Sequence, residues 1–337
     1  MARMQQRPTL AQLSAEAGVS VATISRVLNG KPGVAPTLRR RIQGILAESG
    51  YVKDSSSNAA PLVGIVVPDL TNPVFGLFAD AIEAQLAIRG YNAVLSCNRT
   101  NGDESEFAEM LLRQNADGLI VIAGTNNFAV HERSDLSDVQ QRGLRIVLIN
   151  GPADGIAAPT LSTDFEHAVD LALRHLTALG HTAVGFAAGP EESFSSSLQI
   201  RAFGELTSRA QVRGELFISS YSIEGGALAA RTLLDRSVTA LICASDAMAL
   251  GAIRAIRHAG FSVPEDISVI GFDDSPTMPF VAPALTTIRQ PIADIAQSAV
   301  NALRTLSAGS STSTTDLHFE GELVIRESTA APAARPV

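Results

Sequence analysis

The 337-residue chain has no tryptophan, only two cysteines, and 5% aromatic residues. Two cysteines cannot form a disulfide framework. Cys97 and Cys243 both sit in strand-like runs, AVLSC and ALICA, and read as buried free thiols. The six histidines, at 131, 167, 175, 181, 258 and 318, are scattered, and no Cys/His cluster has zinc spacing. His181, in a Leu-Gly-His turn, is expected to bond backbone rather than metal. Neither G-x-S-x-G nor the Walker A phosphate loop occurs. No apolar run approaches the roughly 20 residues of a membrane span, and the opening MARMQQRPTL is polar, unlike a secretory signal. The expectation is a cytoplasmic protein that is not an enzyme and needs no metal or cofactor.

Length and charge then divide the chain. It is too long for one ordinary domain, and its 46% apolar content can fill a large core. The formal net charge of −8 hides an asymmetry. Residues 1–60 hold 8 Lys/Arg and 3 Asp/Glu, giving +5, whereas the remainder holds 18 and 31, giving −13. A basic head on an acidic body suits a phosphate-binding module carried by a soluble domain.

The head explains its own charge. TLAQLSAEAGVSVATISRVLN, Thr9 to Asn29, reads as two short helices around a tight turn. Thr9 and Gln12 form a T-x-x-Q capping box, and Leu10, Leu13 and Ala17 share one face. Gly18 ends the first helix and Ser20 caps the second. Ile24, Val27 and Leu28 give the second helix an inward stripe, leaving Val21, Ala22, Thr23, Ser25, Arg26 and Asn29 outward. Short polar groups and a single Arg suit a helix lying in a major groove, so the segment is expected to be a helix-turn-helix. A third helix, from about Pro36 to Ser49, opens on the basic run Arg39-Arg40-Arg41, one or two of which are expected to meet phosphate.

VKDSSSNAAP, residues 52–61, reads as a Ser-rich linker. From Leu62, short Val/Ile/Leu runs (LVGIVVP, NAVLSC, GLIVIAG, RIVLING) alternate with helical patterns. The rhythm restarts after Pro159 with AVGFAAG, LFISSYS, ALICAS and ISVIGFDD. Two α/β halves imply two lobes with a cleft, and ligands in such sheets sit beyond the carboxyl ends of the strands. By that rule Asp273 after ISVIGF, Asp246 after ALICAS and Phe75 after the first strand are pocket candidates. Asp246 also suits the start of the helix 247–259.

These stretches resemble the LacI/GalR family of bacterial transcription regulators over nearly the whole chain. The resemblance is carried by the helix-turn-helix, Gly50-Tyr51, VGIVVPDLTNPVF, NADGLIVIAG, LGHTAVGFAAGP, CASDAMALGAIRAIRHAGFSVPEDISVIGFDD, LTTIRQP and ELVIRES. It implies an all-α helix-turn-helix head, residues 1–51, and the short linker 52–61. It also implies a two-lobed, periplasmic-binding-protein-like α/β effector domain at 62–328, with a flexible tail at 329–337. Lobe 1 is expected at about 62–161 and 291–316, and lobe 2 at about 162–290 and 317–328. The helix 292–306 then returns to the first lobe, and LHFEGELVI, as one strand, to the second.

The resemblance also assigns residues. Val21 and Ala22 face base edges, where apolar side chains meet a thymine methyl; Arg26 meets guanine. By their chemistry Ser20, Thr23, Ser25 and Asn29 suit the DNA backbone, although Thr23 and Ser25 suit capping or solvent equally; Thr9 and Arg39 are also expected to contact DNA. Phe75, Asp164, Tyr221, Asp246, Asp273 and Gln290 are expected around the effector, although Tyr221 suits a core position equally.

Three departures qualify this picture. The linker has no match to the hinge-helix pattern N-x-x-A-R-x-L, so a minor-groove wedge is expected to be weak or absent. Gln199 stands where the family has Arg, and Ser245 where it has Asn. Losing a guanidinium removes the strongest fork for a charged ligand, so the effector is expected to be neutral and polar. The expected function is that of a DNA-binding repressor, at least a homodimer on a two-fold operator, controlled by a small ligand. The alternative is a ligand-binding protein whose head has lost DNA control.

Overall fold

The computed structural model describes residues 9–28, 33–48, 60–97, 103–122, 134–152, 155–307 and 315–333. The chain divides at Ala60/Pro61 into two compact units. The first holds three helices: α1 (Leu10–Ala17), α2 (Val21–Leu28) and α3 (Pro36–Glu48). The Thr9 hydroxyl accepts the Gln12 N–H at 3.3 Å, and Gln12 Oε1 accepts the Thr9 N–H at 2.7 Å, which is the expected capping box. Gly18 ends α1 at φ 65°, a left-handed conformation that costs glycine nothing. Leu13, Ala17, Ile24, Val27, Ile42 and Leu46 close a small core.

The second unit contains two six-stranded sheets. Its first half runs β1 (Leu62–Val67), α4 (Pro73–Ile88), β2 (Asn92–Cys97), α5 (Asp103–Arg113), β3 (Gly118–Ile122), α6 (Ser134–Gln141), β4 (Ile146–Ile149) and β5 (Thr160–Thr163). The second half runs α7 (Phe165–Ala178), β6 (Ala183–Ala188), α8 (Phe194–Ala210), β7 (Arg213–Ile218), α9 (Ile223–Leu234), β8 (Ala240–Cys243), α10 (Asp246–His258), β9 (Ser268–Asp273) and β10 (Thr286–Arg289). Then follow α11 (Ile292–Ser307), β11 (Asp316–Phe319) and β12 (Glu322–Val324). The orders are β11-β5-β4-β3-β1-β2 and β12-β10-β9-β8-β6-β7. Every pairing is parallel except β10 with β12. β3, β4, β8 and β9 are buried along their whole length, as strands covered by helices on both faces must be.

Two expectations change here. LHFEGELVI is not one strand. Leu317–Phe319 continues the first sheet beside β5, and the chain crosses at Glu320-Gly321 before β12 joins the second sheet. The first sheet also keeps β5 as far as Thr163. The lobes therefore exchange chain after Thr163, after Arg289 and after Phe319, between the β11-β5 edge of one sheet and the β12-β10 edge of the other.

The tail expected to be flexible from residue 329 is tied down as far as Ala330. Ser328 is fully buried, and its hydroxyl donates to Val269 O at 2.6 Å. The Ala330 N–H donates to Ser268 Oγ at 3.0 Å, and His181 Nε2 lies 2.9 Å from Ala330 O. Composition misled because the anchors are distant in sequence: the Val269 N–H donates to Ser328 O at 2.8 Å, and Ser268 and His181 hold Ala330; residues 334–337 lie outside the described residues. Among the described residues no helix is long and apolar enough to cross a membrane.

Candidate functional site

A cavity opens between the two sheets, at the carboxyl ends of their strands. From the first lobe it receives Asn72 and Phe75, in the turn after β1 and the first turn of α4, and Asn150, which follows β4. Asn72 caps α4 by accepting the Val74 N–H at 3.3 Å. Phe165 enters from the start of α7 and stacks on Phe272, with ring centroids 5.9 Å apart. From the second lobe come Ser193, Ser195 and Gln199 on α8, Tyr221 before α9, Ser245 after β8 and Asp273 ending β9; Gln290 follows β10.

Six of the eight residues expected around the effector therefore line one cavity: Phe75, Gln199, Tyr221, Ser245, Asp273 and Gln290. Asp164 and Asp246 do not. Asp164 accepts the His167 N–H at 2.9 Å, capping α7, and faces an open groove between α7 and α8; its neighbour Phe165 takes the cavity side instead. Asp246 is buried behind the wall, accepting the Ser275 N–H at 2.7 Å and the Thr287 hydroxyl at 2.6 Å. Asn72, Asn150, Phe165, Ser193, Ser195 and Phe272 were not anticipated. The strand-end rule that found Asp273 also finds Asn150 after IVLI. The Ser193–Ser197 run, interrupted by Phe194, carries no such signal.

Hydrogen bonds tie the cavity to the crossover strands. The Thr163 hydroxyl donates to Gln290 Oε1 at 2.7 Å, and Gln290 Nε2 donates to Asp273 Oδ1 at 2.7 Å. Thr163 N–H also donates to Asn150 Oδ1 at 3.2 Å. Two of these residues hold positive φ, Asn150 at 60° and Asp273 at 116°, the kind of strained backbone that concentrates at binding sites. Tyr221 lies against Gly189: a Cβ there would stand 2.1 Å from the ring, so only glycine admits this aromatic wall. The Tyr221 hydroxyl is 3.2 Å from Ser195 Oγ.

The electrostatics are those of a neutral chamber. No Lys, Arg or His is among the cavity's described lining residues, and Asp273 supplies the one carboxyl. Burial, and then the nearby Asp246 charge, push the Asp273 carboxyl well above the usual carboxylate range. Burial likewise raises the Tyr221 phenol. Gln199 is 2% exposed, and its Oε1 has no hydrogen-bond partner, a debt of about 1–3 kcal/mol while nothing donates to it.

In the head, Val21 is 44% exposed, and Ala22 and Arg26 are exposed beside it. Thr23, Ser25 and Arg39 are half-buried. The Ser20 hydroxyl accepts the Thr23 N–H at 3.2 Å, so it caps α2 from an exposed position. Asn29, the Leu28 side chain and the linker as far as Ala59 lie outside the described residues.

A helix-turn-helix head and a two-lobed α/β body with a cleft cavity are the plan of a transcriptional regulator. The comparisons give the family. Residues 9–54 match "Bacterial regulatory proteins, lacI family", and residues 173–329 match "Periplasmic binding protein-like domain". The chain is 41% identical to the HTH-type transcriptional regulator reg1 of Streptomyces lividans, over 97% of this chain and 98% of that protein. It therefore belongs to the lacI family of bacterial transcriptional regulators. Its fold matches that of the lac repressor dimer bound to operator and the anti-inducer ONPF, with TM-score 0.72 and 27% identity over 97% of this chain and 100% of that one. It also matches the transcriptional regulator CelR in complex with cellobiose, with TM-score 0.71 and 27% identity over 96% and 100%. These relatives are regulators rather than enzymes.

Proposed function

We propose that this regulator is a repressor whose grip on a two-fold operator is controlled by a neutral, polyhydroxylated ligand, a sugar, bound in the cavity between its lobes. The observation that carries the ligand class is the unpartnered Gln199 Oε1, buried in a wall whose described residues include no cation. An acceptor without a partner calls for a hydroxyl donor, and a chamber with no Lys, Arg or His among its described residues disfavours a carboxylate or phosphate. The aromatic faces of Phe75, Phe165 and Tyr221 suit the apolar face of a sugar ring. The cellobiose complex of a structural neighbour supports the same class.

On the DNA side, the exposed Val21, Ala22 and Arg26 read bases, and Thr9, Ser20, Thr23, Ser25 and Arg39 serve the phosphate backbone. One head offers few base contacts, so two copies act together as a homodimer. Exposed apolar residues on the body, Ile88, Leu228 and Phe280 among them, offer surface for that partner copy. The lobe exchange points after Thr163, Arg289 and Phe319 allow the lobes to close on ligand and so change the spacing of the paired heads.

The test is a thermal-shift panel: ribose, maltose and cellobiose against glucose 6-phosphate and gluconate. A sugar at a hundredfold excess over its Kd adds about 2.7 kcal/mol of stability. A shift from the anionic compounds alone would overturn the neutral-ligand reading.

A further inference from the structure

Behind the carboxyl that enters the cavity stands a second one. Asp273 ends β9 at φ 116° and Asp274 follows at φ 56°. Two consecutive non-glycine residues at positive φ persist only where the surroundings over-determine them. Asp246, the first residue of α10, is 2% exposed and does not line the cavity. Its Oδ2 accepts the Ser275 N–H at 2.7 Å and its Oδ1 accepts the Thr287 hydroxyl at 2.6 Å. Its own main-chain N–H favours the ionised form of the Asp273 carboxyl. Asp246 thus ties the first turn of α10 to the strained turn and to β10. Gly271 leaves room for it: a Cβ there would stand 2.5 Å from Asp246 Oδ1.

The charges around this pair are unevenly shared. Arg326 and Arg289 bind the Asp274 carboxylate at 2.6 and 2.8 Å. Neither Asp246 nor Asp273 has an ion-pair partner among the described residues. The Asp274 charge, held by its two Arg partners, also raises Asp246. The remaining titratable groups that sense the pair are neutral near pH 7: the Tyr221 phenol before α9 feels Asp273, and the Cys243 thiol on β8 feels Asp246. Asp273 therefore faces chiefly the Asp246 charge, with Gln290 as its neutral neighbour, while Asp246 faces Asp274 and the neutral Thr287.

We propose that Asp246 is a positioning residue for the effector cavity. It clamps the Asp273–Ser275 turn from behind, and its charge sets whether the Asp273 carboxyl meets ligand as a hydrogen-bond donor or an acceptor. The consequence for ligand rests on the cavity reading above; the clamp itself is tested without ligand. Burial pushes the Asp246 carboxyl up to about 6, against the favourable Thr287 and Ser275 bonds. Like charges buried side by side ionise one after the other, as a pair.

The experiment is a pH titration of the full-length protein, labelled with ¹³C at the aspartate carboxyls, with no ligand added. In Asp246→Asn the Asp273 midpoint falls by about one pH unit. In Asp273→Asn the Asp246 midpoint stays where it was, because Asp246 ionises first, against a neutral Asp273. The second variant changes a cavity-wall residue and serves even if the first fails to fold. An Asp273 midpoint that stays put in Asp246→Asn, or an Asp246 midpoint that falls in Asp273→Asn, would overturn the electrostatic half of the proposal. Amide exchange at Ser275 reads the clamp: protection survives in Asp246→Asn, which keeps an acceptor, and is lost in Asp246→Ala. Equal protection in both would overturn the positioning half. A failure of every sugar to bind would defeat the ligand reading and leave these outcomes unaffected.

Discussion

Gln199→Leu should make the empty protein more stable and the ligand-binding protein worse. Leu has nearly the volume of Gln and carries no polar atom. Gln199 is 2% exposed, and its Oε1 lacks a partner, so the wild type holds an uncompensated desolvation cost of about 1–3 kcal/mol. Removing it stabilises the unliganded domain by roughly 1 kcal/mol after imperfect repacking, a rise in Tm of about 2 °C for a domain this large. The ligand hydroxyl that would have satisfied Oε1 then loses its acceptor, which weakens binding by about 1–3 kcal/mol, or roughly fivefold to a hundredfold and more. Differential scanning fluorimetry without ligand gives the first number, and calorimetric titration with the sugar that most stabilises the wild type gives the second. The opposite signs are the signature. A variant that loses stability and binds sugar normally would refute the reasoning, because Gln199 would then be an ordinary packing residue.

Other perturbations separate the remaining parts of the account. A Cβ on Gly251 would stand 1.9 Å from Ile223 O, and one on Gly226 2.0 Å from Met248 O, so α9 and α10 touch through backbone. Gly251→Ala should cost about 3 kcal/mol or more, read as a fall in the urea midpoint. Arg26→Ala should lose about 1–3 kcal/mol of operator affinity and relax one base position, seen by binding selection on randomised sites. The folded Asp246 carboxyl, pushed up to about 6, binds its proton more tightly than in the unfolded chain, so its contribution to stability falls as pH rises from about 4 to about 6. Denaturation of wild type and Asp246→Asn across that window should show a gap that grows with pH; a constant gap would exclude the linkage.

The head was legible because its signals are local. Thr9, Gln12 and Gly18 each do within a few residues what their chemistry dictates. The buried apolar strands were equally plain. β5, TLST, and β10, TTIR, were not, because buried Thr and Ser look like turn residues until a sheet covers them. Those are the strands that carry Thr163 and lead to Gln290, so the hydrogen bonds linking the lobes were invisible in one dimension. Asp246 shows the converse limit. Its position after ALICAS was informative, yet the strand-end rule cannot tell a residue facing the cavity from one packed behind it. That distinction depends on the turn at Asp273, where φ is 116°. Asp164, expected from the resemblance, misled because an acid just ahead of a helix is often its cap first.

The most direct test of the central claim is the affinity of the full-length protein for its own upstream DNA, measured by fluorescence anisotropy between about 50 and 200 mM salt. It is run with and without the sugar that most stabilises the protein. A head that neutralises several phosphates gives a linear fall of log K with log salt, about −0.9 per phosphate, and sugar displaces the whole line. A slope near zero, or a line that sugar does not move, would contradict the account.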